Sequence, residues 1–273
     1  MATEREIQRQ LERKINRLYK DLHEASQDLI DDFSEDFEET DKKKKDQLTE
    51  EEYKKWKRKF VTQSVIVATL IRKLAKLATQ ANEKSAKEIY KSMAEAYKFG
   101  FNGWVKEFNA KYALNMSLAD RKAIENILKG GKLLPEPRVN IPKDLKWNER
   151  RMRSALLQSV LKGESIPQLS KRLQNAVDMN KTSAVRNERT MTMHSHNAGR
   201  FEAGLEAIER GIKMDKEWIA HIDDRTRKSH IEINGEVVPF DEPFSNGLMY
   251  PQDFDGDPSE VYNCRCRLGY VVK

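Results

Sequence analysis

The sequence predicts an α+β protein in which a long N-terminal helical region precedes a C-terminal domain of helices packed on a small antiparallel sheet. Two observations support this prediction. Up to Gly211, apolar residues recur every three or four positions, the period of a helix with one buried face. After Gly211, short runs alternate between apolar and polar residues, the period of a strand. A hydrophobic fraction of 38% and a charged fraction of 34% suit long helices with largely wet faces.

Residues 4–39 form the first predicted helix, because apolar residues separated by charges follow steps of three and four. A lone helix cannot bury such a stripe on itself, so it packs on another helix or on a partner. We assign partner binding to five positions of the stripe, Ile7, Leu11, Ile15, Leu18 and Leu22. The charge run at residues 40–46 is predicted to be a loop.

Thr49 is predicted to cap the next helix, since three glutamates follow it in the first turn. This helix passes through the most apolar part of the chain, and either continues or restarts to Tyr97. An aromatic cluster at residues 97–108 is predicted to close the helical core, although its lysine neighbours also allow base stacking. A capping box at residues 117–120 predicts a further helix to Leu128.

A stretch without periodicity, residues 130–146, separates the two predicted regions. It holds three of the eight prolines, and prolines punctuate regular structure. We therefore divide the chain into residues 1–133, a helical partner-binding region, and residues 134–273, the mixed domain. The second region begins with predicted helices at residues 148–161, in the segment after Gly163, and at residues 182–211.

The strands of the predicted sheet lie in the last third. Residues 217–222 and 267–272 are predicted strands. Apolar residues alternate on either side of Asn234-Gly235, which predicts a β-hairpin over residues 231–238. The acidic, proline-rich segment 239–260 is a long loop, and a loop of this length inside a domain is usually functional.

Charge is distributed unevenly along the chain. The net charge is +6, but residues 201–273 carry 9 Lys/Arg and 15 Asp/Glu, so residues 1–200 carry the positive excess. A basic arm with an acidic head indicates contact with nucleic acid or with an acidic protein surface. The amino terminus contains no apolar stretch typical of a signal peptide, and no apolar run is long enough to span a membrane. We therefore expect a cytoplasmic, reducing compartment.

A metal site is the first chemical hypothesis for the last third. Both cysteines of the chain, Cys264 and Cys266, lie there, and His230 adds an imidazole. Zinc accepts this mixture of ligands but normally takes four. His221 or Asp224 are the options for the fourth ligand. The alternative is that two small buried cysteines and a turn-capping histidine only pack together.

A catalytic hypothesis uses the same segment. Asp224, Arg225, Thr226 and His230 together resemble an acid/base and phosphate-binding set of the kind that toxin nucleases use. The alternative is a buried pair of Asp224 and Arg225 that fixes the turn before the hairpin.

The order of motifs in this region is similar to that of a known family. Residues 218–235 follow the pattern W-x4-DDRTR-x2-H-x4-G, and the segments around Gly247, Tyr250-Pro251 and Asn263-Cys264-Arg265-Cys266 follow in order. This arrangement resembles the Mu F-like minor head proteins of tailed bacteriophages, over about residues 146–273. The resemblance marks as structural motif residues Trp218, Asp224, Arg225, Thr226, Gly235, Gly247, Pro251, Asn263 and Arg265.

Two departures from the family pattern bear on the site. The helix Glu188-Arg189-Thr190-Met191 resembles the family's A-R-T-E helix, with Met191 in place of the acid. Many family members carry C-x2-C after the D-R-T element, where this chain has Arg227 and His230. The resemblance therefore implies a histidine and two cysteines in place of four thiolates.

The resemblance implies a structural virion component without enzymatic activity. Such a protein would attach to the portal and act in head assembly, DNA packaging or retention, or DNA delivery. Its expected place is the head interior or portal vertex, and the host cytoplasm during assembly. Expected partners are the portal protein, capsid or scaffolding protein, and viral DNA bound without sequence specificity, but no membrane. The rival hypotheses are a toxin-like nuclease and a DNA-binding module.

The geometry of strands leads to one contact prediction. Cys264 and Cys266 would point to the same face because side chains alternate along a strand. We expect His230 to contact at least one of them, and Arg265 to point the other way, toward an acid such as Asp224.

Overall fold

The computed structural model describes residues 4–119, Ile124 and residues 141–273. Long helices precede a small antiparallel sheet near the carboxy terminus, which confirms the predicted α+β class. The helix predicted from Asp120 to Leu128 lies, except for Ile124, outside the described residues. So does most of the predicted boundary segment around residue 134.

Five long helices are described before the sheet, and their bounds correct two predictions. They are α1 Glu4–Gln47, α2 Glu50–Gln63, α3 Val65–Tyr112, α4 Ile141–Leu161 and α5 Ile166–Glu209. Residues 40–46 belong to α1, so the predicted loop is wrong. The two helices predicted after Gly163 are the single helix α5.

Tertiary contacts explain both corrections. Within the charge run, the carboxylate of Asp41 accepts a hydrogen bond from the Tyr53 hydroxyl at 2.7 Å. It also pairs with the Lys57 ammonium at 3.3 Å. These contacts with α2 hold the last turns of α1 in helical form. In the middle of α5, the amide of Asn180 donates to Asn148 on α4 at 3.2 Å. A polar side chain satisfied by a neighbouring helix does not compete with its own backbone.

The start of α2 confirms the predicted cap. The Thr49 hydroxyl accepts from the Glu52 backbone N–H, and the Glu52 carboxylate accepts from the Thr49 backbone N–H at 3.0 Å. This capping box satisfies two donors that have no partner inside the helix. At its other end, α2 stops at Ser64, whose backbone is extended.

The chain divides into two compact units that do not follow the order of the sequence. One contains the described residues of Met1–Glu12, Lys87–Pro137 and Val185–Lys273, and the other those of Arg13–Ala86 and Arg138–Ala184. The limits of the units therefore fall inside α1, α3 and α5. Among the described helices, none combines the length and the apolar character that crossing a membrane requires.

The apolar stripe of α1 is satisfied within the protein. Ile7, Leu11, Ile15 and Leu22 are all buried, and Leu18 is half-buried. The stripe is therefore largely covered in this structure. The aromatic cluster is also core: Tyr97, Phe101, Trp104 and Phe108 are buried, which leaves no room for a stacked base.

The sheet has three strands, β1 Met214–Ile219, β2 Val237–Pro239 and β3 Arg267–Val272, in the order β2-β1-β3 with antiparallel pairing. The predicted hairpin around Asn234-Gly235 is wrong. Its first half is a short helix, α6 Lys228–Glu232, and β2 pairs with β1 instead. The reason is that the turn binds β1 directly: Asn234 Oδ1 accepts from the Ala220 N–H, and the Gly235 N–H donates to the Trp218 carbonyl, both at 2.8 Å.

Two glycines allow α3 and α5 to approach closely in the first unit. A Cβ added at Gly100 would lie 2.1 Å from the His196 carbonyl oxygen, and one at Gly199 would lie 2.4 Å from the Tyr97 carbonyl oxygen. Real Cβ atoms do not come this near to backbone atoms, so the backbones can approach only without a side chain at either position. This packing places the carboxy-terminal half of α5 against the core.

We expect Gly100→Ala to destabilise the protein by about 1–3 kcal/mol, because the methyl group would overpack a rigid backbone contact. Gly103 is the matched control on the same helix, since nothing lies within 4 Å of its added Cβ. There the same substitution should stabilise by about 0.5–1 kcal/mol, as alanine is the better helix former. Urea unfolding of both variants checks the prediction, and equal effects would contradict it.

Candidate metal centre

A tight turn orders the residues before the candidate centre. The Asp223 carboxylate accepts from the Arg225 N–H at 2.9 Å, and the Asp223 N–H donates to the Thr226 hydroxyl at 3.0 Å. Thr226 in turn donates to the His221 carbonyl. Asp223 and Thr226 are thus the residues that fix the turn.

Arg265 closes this turn onto the end of the chain. Its guanidinium donates to both carboxylate oxygens of Asp223, to Oδ1 at 2.5 Å. This bidentate bond holds the pKa of Asp223 well below its usual range. The acid that Arg265 contacts is therefore Asp223 and not the expected Asp224, one residue further along. Asp224 and Arg225 are both exposed. The hypothesis of a buried Asp224–Arg225 pair is therefore also wrong.

The structure brings His230, Cys264 and Cys266 together, and all three are buried. His230 Nδ1 lies 3.6 Å from the Cys264 sulfur and 3.4 Å from the Cys266 sulfur. The expected contact between the histidine and the cysteines is therefore present. His230 is positioned by α6, while the cysteines directly precede β3.

Two neighbours lie against the imidazole. The Trp218 ring, on the buried face of β1, packs edge-on against it with the ring centres 5.1 Å apart. On the other side, His230 Nε2 lies 2.8 Å from a carboxylate oxygen of Glu260, in the short helix α7 Pro258–Val261. Nδ1 is thereby left directed at the two sulfurs.

The two thiols differ in acidity. The pKa of Cys266 is lowered, first because the Cys264 thiol donates a hydrogen bond to it and also because His230 does. The pKa of Cys264 is raised, because it is the donor and because it is buried. Of the two thiols, Cys266 is therefore the one that loses its proton more readily.

The geometry of the three ligand atoms fits zinc. In a tetrahedral site with Zn–S of about 2.3 Å and Zn–N of about 2.0–2.1 Å, nitrogen and sulfur ligands lie roughly 3.6 Å apart. The distances of 3.4 and 3.6 Å match this separation. A carboxylate behind the imidazole is the usual support of a histidine bound to zinc. Within the described residues, the group has three members and no fourth.

The two options for a fourth ligand do not join the group. His221 is about half exposed and lies 3.8 Å from Asp223, and Asp224 is exposed. Arg227, at the position where many family members have cysteine, donates to the Tyr262 carbonyl. The catalytic set is likewise not assembled, because Asp224 and Arg225 are exposed whereas His230 is buried against the sulfurs.

Asn197 on α5 connects the helix to the segments around the centre. Its amide nitrogen donates to the carbonyls of Pro251 and Cys266 and to the Gln252 side chain, and its oxygen accepts from the Leu268 N–H. Gln252 extends this hydrogen-bond network, because its side-chain amide donates to the Cys264 carbonyl. Asn197 follows Glu188-Arg189-Thr190 on the same helix, whereas Gln252 and Glu260 carry no signal in the sequence.

The remaining motif residues have structural places. Trp218 is fully buried. Gly235 and Gly247 have φ of 81° and 82°, a left-handed backbone that favours glycine. Asn263, at φ 61°, donates its N–H to the Thr190 hydroxyl at 3.1 Å. The motif thus marks the turns and anchors that shape the domain.

Replacing Asn197 by leucine should destabilise the protein by about 3 kcal/mol or more, because each buried partner left without a hydrogen bond costs about 1–3 kcal/mol. Asn175 on the same helix is exposed, so Asn175→Leu should change stability by no more than about 0.5 kcal/mol. Urea denaturation measures both. A small, equal effect of the two substitutions would show that the network carries no stability.

The chain is similar to known proteins and to a protein family. The chain is 27% identical over 212 residues to the NAD(+)--arginine ADP-ribosyltransferase EFV of Enterococcus faecalis, a match over 76% of this chain and 42% of that protein. It is 26% identical over 159 residues to the minor head protein GP7 of Bacillus phage SPP1, a match over 56% of this chain and 49% of that protein. The chain thus spans less than half the length of either relative. No solved structure matches it.

Residues 150–269 match the family described as phage Mu protein F like protein. This range contains the whole candidate centre. The resemblance predicted from the motifs is therefore confirmed.

Proposed function

We propose that this protein is a minor head protein of a tailed bacteriophage, carried in the virion and attached to the portal vertex. One observation carries the proposal: the family match over residues 150–269 coincides with the domain in which the motif residues form turns, anchors and the His–Cys–Cys cluster. The relative named a minor head protein supports the same role. The protein would serve head assembly, DNA packaging or retention, or DNA delivery.

The proposed role is structural rather than catalytic. The residues of the nuclease hypothesis are separated, with His230 buried and Asp224 and Arg225 exposed. The relative named an ADP-ribosyltransferase is matched over 42% of its length, and its name is the sole support for transferase activity. No residue cluster in the described parts of the chain favours that activity over the structural role.

Portal attachment through residues 1–133 must use side chains that the fold leaves exposed. The α1 stripe is largely buried in this structure, so we look for the contact among exposed side chains. Val65 and Ile66, at the break between α2 and α3, are 78% and 58% exposed. Two adjacent aliphatic side chains on a solvated corner are suited to contact another protein, and we place part of the portal interface there.

Co-purification with the portal protein of the same phage tests attachment. The full chain should recover the portal protein, and the double substitution Val65→Ser and Ile66→Ser should reduce recovery because the apolar contact is lost. The matched control is Leu161→Ser with Met179→Ser, which removes two aliphatic side chains that are 65% and 61% exposed outside residues 1–133. Absence of the protein from purified virions by mass spectrometry would contradict the proposed function itself.

We further propose that zinc binds to His230, Cys264 and Cys266, joining α6 to the segment before β3. When bound, the ion would act as a cross-link whose binding free energy adds to the folding free energy. The Glu260 carboxylate, 2.8 Å from Nε2, would face the ring nitrogen that the ion does not use. The fourth position would be left to a small molecule such as water, because Arg227 cannot coordinate.

Metal analysis of the purified protein should find about one zinc per chain for this three-residue site, and a chelator should lower the unfolding midpoint. Cys264→Ser and Cys266→Ser should each abolish zinc binding. His221→Ala is the control, because this exposed histidine lies outside the cluster. Protein without zinc and a midpoint unaffected by chelator would instead support simple packing of the three side chains.

A further inference from the structure

Strand β3 lies at an edge of the sheet, because β1 is its neighbour on one side and the sheet order ends with it. The Lys273 N–H donates to the Lys213 carbonyl at 2.9 Å, and the register continues this pairing along β1. Backbone groups of an antiparallel strand point alternately to one side and the other. The odd-numbered residues of β3 therefore bond to β1, while Leu268, Tyr270 and Val272 direct their N–H and C=O groups to the open edge.

Helix α5 closes the first part of this edge. The Leu268 N–H donates to Asn197 Oδ1 at 3.1 Å, and the Leu268 carbonyl accepts from the Arg200 guanidinium at 2.8 Å. Within the part of the chain that the structure describes, the outward backbone groups of Tyr270 and Val272 have no such partner. A row of unpaired donors and acceptors on a strand is a template for another extended backbone.

The opposite edge of the sheet is protected by a proline. Strand β2 is short and ends at Pro239, which has no N–H to donate. Proline on an edge strand is a common way of preventing the addition of another strand. The open half of β3 has no such protection, so a new strand can be added to the sheet at this edge.

The open half of β3 is complementary to itself. An antiparallel second copy can be placed so that Tyr270 lies opposite Val272 of that copy, with a two-fold axis at Val271. Each facing pair then exchanges both of its N–H···O=C bonds. All outward backbone groups of the two residues find partners in this register, and the contact need not extend to Leu268, which α5 already closes.

The side chains fit the same register. Tyr270 and Val272 of the second copy form a cross-strand pair of an aromatic and a β-branched residue, a favourable combination. On the other face of the sheet, Val271 is 42% exposed. At the two-fold axis it meets Val271 of the second copy in a non-hydrogen-bonded pair, where side chains approach most closely.

Charges at the end of the strand are also complementary. Lys273, whose ammonium lies 2.9 Å from the Asp215 carboxylate, would face Gly269 of the second copy. A carboxylate oxygen of Glu217 lies 3.2 Å from the position that a Cβ on Gly269 would take. Among the described residues, no cation pairs with Glu217. The second copy would therefore bring an ammonium group to a carboxylate that lacks one.

We propose that two copies of this chain associate through the edge of β3, which joins their three-stranded sheets into one continuous antiparallel sheet. The self-complementary hydrogen bonds, the contact at Val271 and the pairing of Lys273 with Glu217 favour a second copy over an unrelated peptide. This inference goes beyond the proposed function and does not depend on it. A protein that is absent from virions but associates in this way would refute the virion role alone.

Sedimentation of the purified full chain over a range of concentrations tests the proposal. The mass should rise from that of one chain, 31.8 kDa, toward twice that value. Val272→Pro removes an N–H that points away from β1, so the fold should be retained, and circular dichroism verifies this. The association should weaken by about tenfold or more, because each half of the interface loses a hydrogen bond.

The matched control is the same substitution on the other edge strand. Val237 lies opposite Glu217, a residue whose backbone groups bond to β3, so the Val237 N–H also points away from β1. Val237→Pro should leave the association at the wild-type level. An equal loss in this control would overturn the assignment to β3, and so would a wild-type mass of one chain at every concentration.

A charge exchange tests the register without changing the backbone. Glu217→Lys should weaken the association, because it places two ammonium groups together across the interface. Adding Lys273→Glu to this variant should restore most of the association, since the pair is then reversed. If the double variant associates no better than the single variant, the proposed antiparallel register is wrong.

Hydrogen exchange identifies the backbone groups directly. The amides of Tyr270 and Val272 should exchange rapidly in dilute protein and slowly at high concentration. The Leu268 amide, already bonded to Asn197, should change little. Protection of the first two amides by the portal protein of the same phage, in a chain that by itself remains single, would refute the second copy as the partner.

Discussion

The carboxy-terminal domain depends on the hydrogen bonds of a single buried amide, Asn197. Its side chain connects α5 to the loop at residues 251–252 and to both ends of the Cys266–Leu268 segment. These segments lie far apart in sequence and have few regular elements of their own. A long loop cannot be buried unless its backbone groups find partners. Asn197 and, next to it, Gln252 supply those partners, and the segment that carries the cysteines is held in place as a result.

The His–Cys–Cys cluster follows from this arrangement. Once Cys264 and Cys266 are fixed beside β3, His230 reaches them because the turn at Asp223 is bound to Arg265. The ion pair and the cluster thus join the start and the end of the domain at two neighbouring points. The part of the domain after α5 contains short strands and short helices, so such cross-connections replace part of the stability that a larger core would provide.

Two residues of usually exposed types, a lysine and a glutamate, are buried in this structure. Lys216 on β1 is fully buried, donates to the Met249 carbonyl at 2.8 Å and has the rings of Phe201 and Phe244 5.3 Å from its ammonium. Burial lowers its pKa to about 8. Glu188 on α5 is also fully buried, and desolvation raises the pKa of its carboxyl to about 8. Nothing in the spacing of either residue distinguishes it from the exposed lysines and glutamates that the chain has in large number.

The sequence by itself determined the fold class, the cap at Thr49, the closing strand and the approach of His230 to the cysteines. These depend on local periodicity or on motifs whose order is preserved. The tertiary structure alone decided that residues 40–46 are helical, that α5 is unbroken and that the Asn234-Gly235 turn serves β1 rather than a hairpin. In each case a polar side chain forms a hydrogen bond with a residue outside its own turn: Asp41 with Tyr53, Asn180 with Asn148, and Asn234 with the backbone of Ala220. Local patterns predict where such residues interrupt a helix or form a turn. The free energy of a hydrogen bond to another segment can outweigh such a local preference. This contribution cannot be predicted from the spacing of residues in the sequence.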